Sequence, residues 1–454
     1  MVDENAAASE YAIHVGRSSV KRTMSRLIYT LLIYVAAPIA FALTVWRSLR
    51  DPAYRDRWAE RFGFVKERLD ESSIWIHAVS VGEVQAAAVL IRALRQRSPH
   101  ERIVVTTATP TGAARVQALF AREVQHVYLP YDLPGAVRRF LTRIRPRIAI
   151  VMETEIWPNL YRECARRDIP LVLASARLSE KSVRRMSRFA TVFREALQRN
   201  VVIAAQSTSD AQRFSQIGAS PASIQVTGNI KFDIRIPEEI RQQGRALRDT
   251  QFPDRFVWIA GSTHEGEEDL ILEAHRSLIQ RIPNALLILV PRHPPRFESV
   301  RQWLAAQGVR FVSRSAAKFV QADVQILLGD TLGELVTFYA AADVAFVGGS
   351  FVPIGGHNLL EPAALGVPVL SGPNNFNAPD IAARLFESGA AIEVASAVDL
   401  TNTLVKLASD PAQRTRMGTI GIEVIEKNRG ALERVLALVE QRLSSHEIGR
   451  AERL

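Results

Sequence analysis

From about residue 70 onward, short β-branched apolar runs alternate with amphipathic stretches of helical period, and no other feature narrows the fold as far. A parallel sheet covered by helices on both faces requires this pattern, because its strands are buried on both sides and read as near-continuous apolar runs. The first series is IWIHAV (74–79), RIVVTT (102–107), HVYLP (126–130), IAIVM (148–152), PLVLAS (170–175), VVIAAQ (201–206) and IQVTG (224–228). The second is VWIAGS (257–262), ALLILV (285–290), RFVS (310–313), VQILLG (324–329), VAFVGG (344–349), VPVLSG (367–372) and AIEVA (391–395). Between them KFDIRIPEEIRQQGRALRDTQFPD (231–254) is polar and basic and reads as a linker. The expected fold is α/β, two doubly wound Rossmann-like domains facing one another across a cleft; 454 residues suit two domains. No short tandem repeat points to a solenoid.

Ahead of this body, Leu27 to Trp46 carry no charged side chain, and at about 1.5 Å per residue such a helix matches a hydrocarbon core of roughly 30 Å. Lys21, Arg22 and Arg26 precede the run; Arg47, Arg50, Arg55 and Arg57 follow it. It reads as a membrane anchor rather than a signal peptide or a buried core helix, since no small-x-small cleavage site follows it. Pro38 either kinks a spanning helix or favours one lying in the membrane surface. Five segments are therefore expected: an extension (1–26), the anchor (27–50), a first domain (51–230), the linker (231–254) and a second domain (255–454) whose last helices can pack back on the first.

Basic residues number 57 against 47 acidic, a net charge of +10, and only seven of the 57 are lysine. Guanidinium is the better fork for phosphates and carboxylates, but arginine richness also follows from a GC-rich genome. Basic residues are dispersed, with no RNP motif, zinc finger or long basic run, so nucleic acid is a poor partner. The single cysteine, Cys164, excludes an internal disulfide and suits a reducing compartment.

Ligands of open α/β sheets bind beyond the carboxyl ends of the strands. After IWIHAV, Ser80 and Gly82 lead to Glu83 in the first turn of a helix; it either complements the helix dipole or acts as a general base. IAIVM ends in Glu153 and Glu155, which share a face if the strand continues; a structural salt bridge and a site role remain open. Lys231 follows a strand in GNIKFD and meets a phosphate or merely coats the surface. LVPRHPPR places Arg292, His293 and Arg296 in a Pro-stiffened loop, with Arg292 the natural anion ligand and His293 more plausibly structural. In VAFVGGSFVPIGGHNLLEP, Gly348 and Gly349 end a strand. Gly355 and Gly356 then open a helix near His357, a candidate phosphate loop with bare amides, and Glu361 sits one turn beyond Asn358. There is no Asp-x-Asp, His-Cys, Walker or dinucleotide fingerprint. A metal-free nucleotide-sugar transferase is the chemistry left.

Taken in order, AYRDRWAERFGF, HAVSVGE, TPTGAARV, VYLPYDLP, METEIWPNL, ARLS, GNIKFD, STHEGEE, LVPRHPPRF, GDTLGEL and GGSFVPIGGHNLLEP resemble the Kdo transferases of lipopolysaccharide synthesis, from about residue 50 to 377. These enzymes move 3-deoxy-manno-octulosonic acid from its CMP conjugate to the lipid A precursor, lipid IVA. The resemblance implies a GT-B fold, inversion at the anomeric carbon, no cofactor or required metal, and an anchor on the cytoplasmic face of the inner membrane. It places the general base at Glu83, transition-state stabilisation at Glu153 and Lys231, and CMP binding at Pro291, Arg292, Leu332, Gly333, Glu334, Asn358, Leu359, Leu360 and Glu361. The first domain would receive the lipid and the second the nucleotide. The chain departs from the family in its 26 residues ahead of the hydrophobic segment and in Ser175, where Asn often precedes ARLS. A transferase using a UDP-sugar with another lipid, and a non-catalytic membrane-tethered nucleotide-binding scaffold, are the competing functions.

Overall fold

The computed structural model describes the backbone of residues 3–316 and 319–451 and the side chains of 23–316 and 319–445. Much of the 1–26 extension, including the flanking Lys21 and Arg22, therefore has its side chains outside the described residues. The chain divides into two compact units, Met1–Ile230 with Gly430–Leu454, and Lys231–Arg429.

The first unit holds strands β1 (Ser73–His77), β2 (Arg102–Thr107), β3 (Gln125–Tyr128), β4 (Pro146–Met152), β5 (Leu171–Ala176), β6 (Val201–Ala205) and β7 (Ile224–Val226). They form one sheet in the order β3-β2-β1-β4-β5-β6-β7, every pairing parallel. The sheet starts at β1, grows to β3, then resumes on the other side of β1 with β4, so the switch point lies between β1 and β4. Both faces are covered. Trp75 packs edge-on against Phe140 on one side and donates its indole N–H to Thr106 Oγ1 at 2.9 Å. On the other, Ile76 shares a core with Leu90 and Ile91. The chain's last helix, Ala431–Ala451, inserts Val435, Leu436 and Val439 into that same core, and Arg97 bonds its Glu433 and Glu440 at 2.5 and 2.7 Å. Residues 430–454 thus complete the first unit.

The second unit repeats the plan with β8 (Val257–Thr263), β9 (Leu286–Pro291), β10 (Phe311–Ser313), β11 (Ile326–Leu328), β12 (Val344–Val347), β13 (Val369–Ser371) and β14 (Ala391–Glu393). The order is β10-β11-β9-β8-β12-β13-β14, all parallel, with the switch point between β8 and β12. Fully buried Trp258 donates to His275 Nδ1 at 3.2 Å, and His275 Nε2 reaches the Gln325 carbonyl at 3.0 Å, which fixes the ring's proton on Nε2.

The 231–254 stretch is not a linker in the structure. It contains the helix Glu238–Gln251, which packs on the helix Leu335–Ala341; Leu247 and Phe252 are buried, and Gly244 lets the helices approach. A Cβ on Gly244 would lie 2.3 Å from Ala340 Cβ. Its arginines disguise this amphipathy, because Arg248 reaches inward to the Ala341 and Arg255 carbonyls and to Asp343 at 2.6–3.1 Å.

One helix, Asp3–Arg50, contains the uncharged run and continues through Pro38. It does not stand clear of the first unit. Arg26 pairs with Glu195, Tyr29 donates to Asp132 Oδ2 at 2.9 Å, Thr30 reaches Asn159 at 3.3 Å and Thr44 reaches Tyr131 at 3.4 Å. The Phe41 ring meets Trp58 and Phe62, and Phe62 meets Tyr131. Asp132 also accepts the amides of Asn159 and Leu160 at the start of the helix Pro158–Arg166; burial still raises its carboxyl to about 7.

Candidate active site

In the first unit, Glu83 and Glu153 follow β1 and β4, the two strands flanking the switch point. Glu83 is the third residue of the helix Val81–Arg97, and its Oε2 accepts the Val79 amide at 2.8 Å. The bond runs to the residue before the N-cap Ser80, whose own side chain makes no cap bond, and it holds the carboxylate in one orientation at a helix N-terminus. Gly82 beside it is exposed, and a Cβ there would meet nothing within 4 Å. Glu83 itself is half-buried and tied to the main chain ahead of its helix.

The strand does not continue through Glu153 as the i, i+2 reading requires. β4 stops at Met152, and Glu153 takes a left-handed conformation, φ 56°, while its amide bonds the Ala174 carbonyl at 3.0 Å. The two glutamates therefore do not share a strand face. Glu153 is buried and paired with Arg177 Nε at 2.9 Å, from the ARLS segment. Burial, and then the neighbouring Glu153 charge, push the Glu155 carboxyl upward. A non-glycine left-handed residue costs about 1–3 kcal/mol and is kept where surrounding structure demands it. Ser175, at the end of adjacent β5, is left-handed too, φ 51°.

Lys231 belongs to the short turn Ile230–Asp233. Ile230 is buried in the first unit's core and Phe232 in the second's, which pins the main chain on either side of the lysine.

In the second unit the loops after β8, β9 and β12 meet at the switch point. Fully buried Glu267 accepts four backbone amides: His264 at 2.9, Gly349 at 2.7, Ser350 at 3.1 and Phe351 at 3.0 Å. It staples the β8 loop to the β12 loop. Arg292 donates its amide to the Thr263 carbonyl at 3.0 Å, and Arg296 reaches Glu268 at 2.7 Å. Around them gather three imidazoles. His264 Nε2 lies 2.8 Å from His357 Nε2, and the His264 and His293 ring centroids are 5.4 Å apart. Desolvation, and then the charge of Arg292, lower His357 to about 3; His293 is lowered for the same reasons, and His264 by desolvation and then by its neighbours His293, Arg296 and Arg292. The loops thus gather Arg292 and Arg296 with three imidazoles held neutral. Among the described residues, no group of three or more His, Cys, Asp or Glu is placed to hold a metal ion.

The Gly355–Gly356 turn differs from the expected phosphate loop. The Gly356 and His357 amides are not bare, since they donate to the Gly349 and Gly348 carbonyls at 2.8 and 3.2 Å. The following helix begins at Leu360, not near His357, and spans only Leu360–Ala364. Both glycines have positive φ, and a Cβ on Gly355 would lie 2.5 Å from the Phe376 ring, so they serve a close approach of two loops. Asn358 Oδ1 caps the Leu360 amide at 3.1 Å, ahead of the helix, so Asn358 and Glu361 are not related by a helical turn. Leu359 and Leu360 are buried in the core and offer a ligand only their main chain.

Pro291 ends β9, and the electrostatics of Arg292 and Glu361 meet on the buried Tyr339 hydroxyl. Leu332, Gly333 and Glu334 lie between β11 and the helix Leu335–Ala341; Leu332 is exposed, Gly333 has φ 86°, and Glu334 pairs with Arg314 at 2.7 Å. His264, His357, Glu267 and Arg177 were not singled out from sequence. STHEGEE and GGHN contained three of them, but their meeting depends on which strands are neighbours.

Two parallel seven-stranded units with candidate sites at their carboxyl edges have the architecture of GT-B glycosyltransferases. A family model described as "Glycosyl transferases group 1" matches residues 262–424, and one described as "3-Deoxy-D-manno-octulosonic-acid transferase (kdotransferase)" matches 56–234. The chain is 42% identical over 420 residues to the 3-deoxy-D-manno-octulosonic acid transferase of Haemophilus influenzae, covering 92% of this chain and 98% of that protein. The Bordetella pertussis protein of the same name is 37% identical over 92% of this chain and 99% of its own length. A crystal structure of UDP-GlcNAc 2-epimerase from Neisseria meningitidis bound to UDP-GlcNAc shares the fold, with TM-score 0.54, 15% identity and coverage of 81% of this chain and 100% of that one. The chain belongs to the 3-deoxy-D-manno-octulosonic acid (Kdo) transferase family, and it is a Kdo glycosyltransferase.

Proposed function

We propose that the enzyme transfers Kdo from CMP-Kdo to a hydroxyl of lipid IVA, inverting the anomeric centre and requiring no metal ion, at the cytoplasmic face of the inner membrane. The observation that carries this reading is the Glu83 carboxylate, oriented by the Val79 amide at 2.8 Å beyond the carboxyl end of β1. One oriented carboxylate acting as base suits a single displacement, in which an acceptor hydroxyl loses its proton as it attacks the anomeric carbon. Inversion follows from one displacement.

The first unit receives the acceptor and the second the donor. As the bond to CMP breaks, negative charge grows on the phosphate and positive charge at the anomeric carbon. Arg292, the imidazoles beside it and Lys231 stabilise the first; the Glu153 carboxylate, held by Arg177, stabilises the second. A nucleoside monophosphate concentrates less charge than a diphosphate, so cationic side chains suffice.

Mass spectrometry of the products from CMP-Kdo and the acylated disaccharide tests the proposal, with UDP set against CMP as competitor. A product heavier by Kdo, formed in EDTA and inhibited by CMP alone, is the expected result. Competition by UDP instead overturns the donor assignment, and absence of turnover with a folded protein overturns the acceptor.

A further inference from the structure

The faces of the helix Asp3–Arg50 differ in a way that decides how it meets a membrane. From Arg26 to Ser48 one stripe turns inward at heptad-like spacing: Arg26, Tyr29 and Thr30, then Ala37, Phe41, Thr44 and Ser48. The opposite stripe holds Leu27, Leu31, Val35, Ile39, Leu43, Trp46 and Leu49, each half or more exposed. Its most apolar 18-residue stretch has mean hydropathy 2.1, and only 6% of that stretch is buried.

The inward stripe spans 23 residues, about 33 Å from end to end, which is the full thickness of a hydrocarbon core. A helix standing across the bilayer in this docked arrangement would carry its supports with it. Those supports are the helices Pro158–Arg166 and Ala190–Gln198, which bear exposed Arg162, Arg166 and Arg194. Guanidinium groups in lipid are expensive.

We infer that the helix lies in the plane of the membrane surface, its inward stripe on the first unit and its Leu27-to-Leu49 stripe in the lipid, as a monotopic attachment rather than a span. Its partner is an anionic lipid surface. Exposed Arg47 and Arg50 follow Trp46, with the Arg50 guanidinium 4.6 Å from that ring, and exposed Arg162 lies at the other end. Basic groups at both ends of an exposed apolar stripe fit anionic headgroups above a shallow apolar layer. Pro38 is exposed on the side turned away from the first unit.

The inference rests on the membrane attachment proposed above and adds its geometry. The test uses the full chain in vesicles of phosphatidylethanolamine with phosphatidylglycerol, with single cysteines placed at Leu27, Val35, Leu43 and Leu49 and spin-labelled; buried Cys164, its thiol raised to about 12, stays unlabelled. Collision with oxygen and with a polar nickel chelate gives the depth of each label. The expected result is one shallow depth at all four sites, within about 10 Å of the phosphates. A ramp that reaches the bilayer centre near Val35 and emerges on the far side at Leu49 overturns the in-plane geometry while leaving the attachment intact. Failure of the protein to float with vesicles overturns both. Dipolar broadening between labels on two chains, persisting without lipid, shows that a second copy covers the stripe and also overturns the inference. As an independent readout, Met24→Cys and Leu49→Cys in sealed vesicles should react with a membrane-impermeant maleimide from the same side. Reaction from opposite sides counts against it.

Discussion

His264 and His357 face each other with their Nε2 atoms 2.8 Å apart and their rings nearly parallel, at 11°. One nitrogen must donate and the other accept, so the pair carries one proton between its two Nε2 positions. Burial, and then the cationic surroundings that include Arg292 and Arg296, hold both rings neutral, with Glu268 opposing at His264. An arriving phosphate reverses that balance and favours imidazolium. CMP binding near pH 7.5 should therefore take up protons. Titration calorimetry in buffers of different ionisation enthalpy measures the uptake, and His357→Ala should reduce it. Equal heats in all buffers would place the phosphate elsewhere.

Glu83→Gln should lower turnover by roughly two to four orders of magnitude, the usual weight of general-base help. The amide oxygen of Gln can still accept the Val79 N–H, so thermal stability and CMP affinity should stay near wild type. Glu83→Ala should add a stability loss of about 1 kcal/mol for the lost bond to the Val79 amide. Near-normal turnover in the Gln variant would remove Glu83 from the role of base.

Arg292→Ala should weaken CMP by about 1.5–3 kcal/mol, the range for a hydrogen bond to a charged group. Lys231→Ala should instead depress kcat more than CMP affinity, if its charge is used mainly as the phosphate departs. Calorimetry with and without EDTA, beside steady-state rates, separates the two. A loss of CMP binding in EDTA would contradict the metal-free donor site.

Stability should fall with acid well before the surface carboxylates titrate. Burial holds His77 and His275 near 4 in the folded chain, against an ordinary value of 6.5. Between 6.5 and 4 the unfolded chain therefore binds more protons, so this contribution is complete above 6.5 and is lost as pH falls toward 4. Each imidazole withdraws about 1.4 kcal/mol per pH unit across that window. Urea midpoints at pH 7, 5.5 and 4.5 should drop accordingly, and His275→Asn should flatten the slope by one group's share. A midpoint independent of pH over this range would mean that these rings charge in the folded state.

All fourteen strands overlap apolar runs visible in the sequence; the central ones are buried on both faces and read as near-continuous runs, while the edge strands β7, β10 and β14 are shorter and partly exposed. The helix Glu238–Gln251 was disguised for the opposite reason: its inward face uses Gly244 and the stems of arginines, which composition counts as polar. Glu153 follows its strand as expected, but its left-handed turn is a tertiary outcome that spacing does not encode. The Gly355–Gly356 turn shows the same limit. Glycines mark a backbone that needs positive φ, but whether the freed amides face a ligand or a carbonyl depends on the loop opposite.

Glu267 makes the sharpest case for a residue that supports the site without standing in it. Its carboxylate is fully buried, and four amides of the β8 and β12 loops converge on it at 2.7–3.1 Å. Burial raises its pKa while those four donors oppose the rise, so the group is held by the loops it holds. Removing it leaves several buried donors unpaired, at roughly 1–3 kcal/mol each. Glu267→Ala should therefore lower the unfolding free energy by at least about 3 kcal/mol. Glu267→Gln should lose less, because one oxygen still accepts while the new N–H groups face amides. Since the same loops position His264 and His357, both variants should weaken CMP while the rate at saturating donor falls less. Urea denaturation gives the stability and calorimetry the affinity. Wild-type CMP affinity in a measurably destabilised Glu267→Gln protein would separate this staple from the nucleotide site.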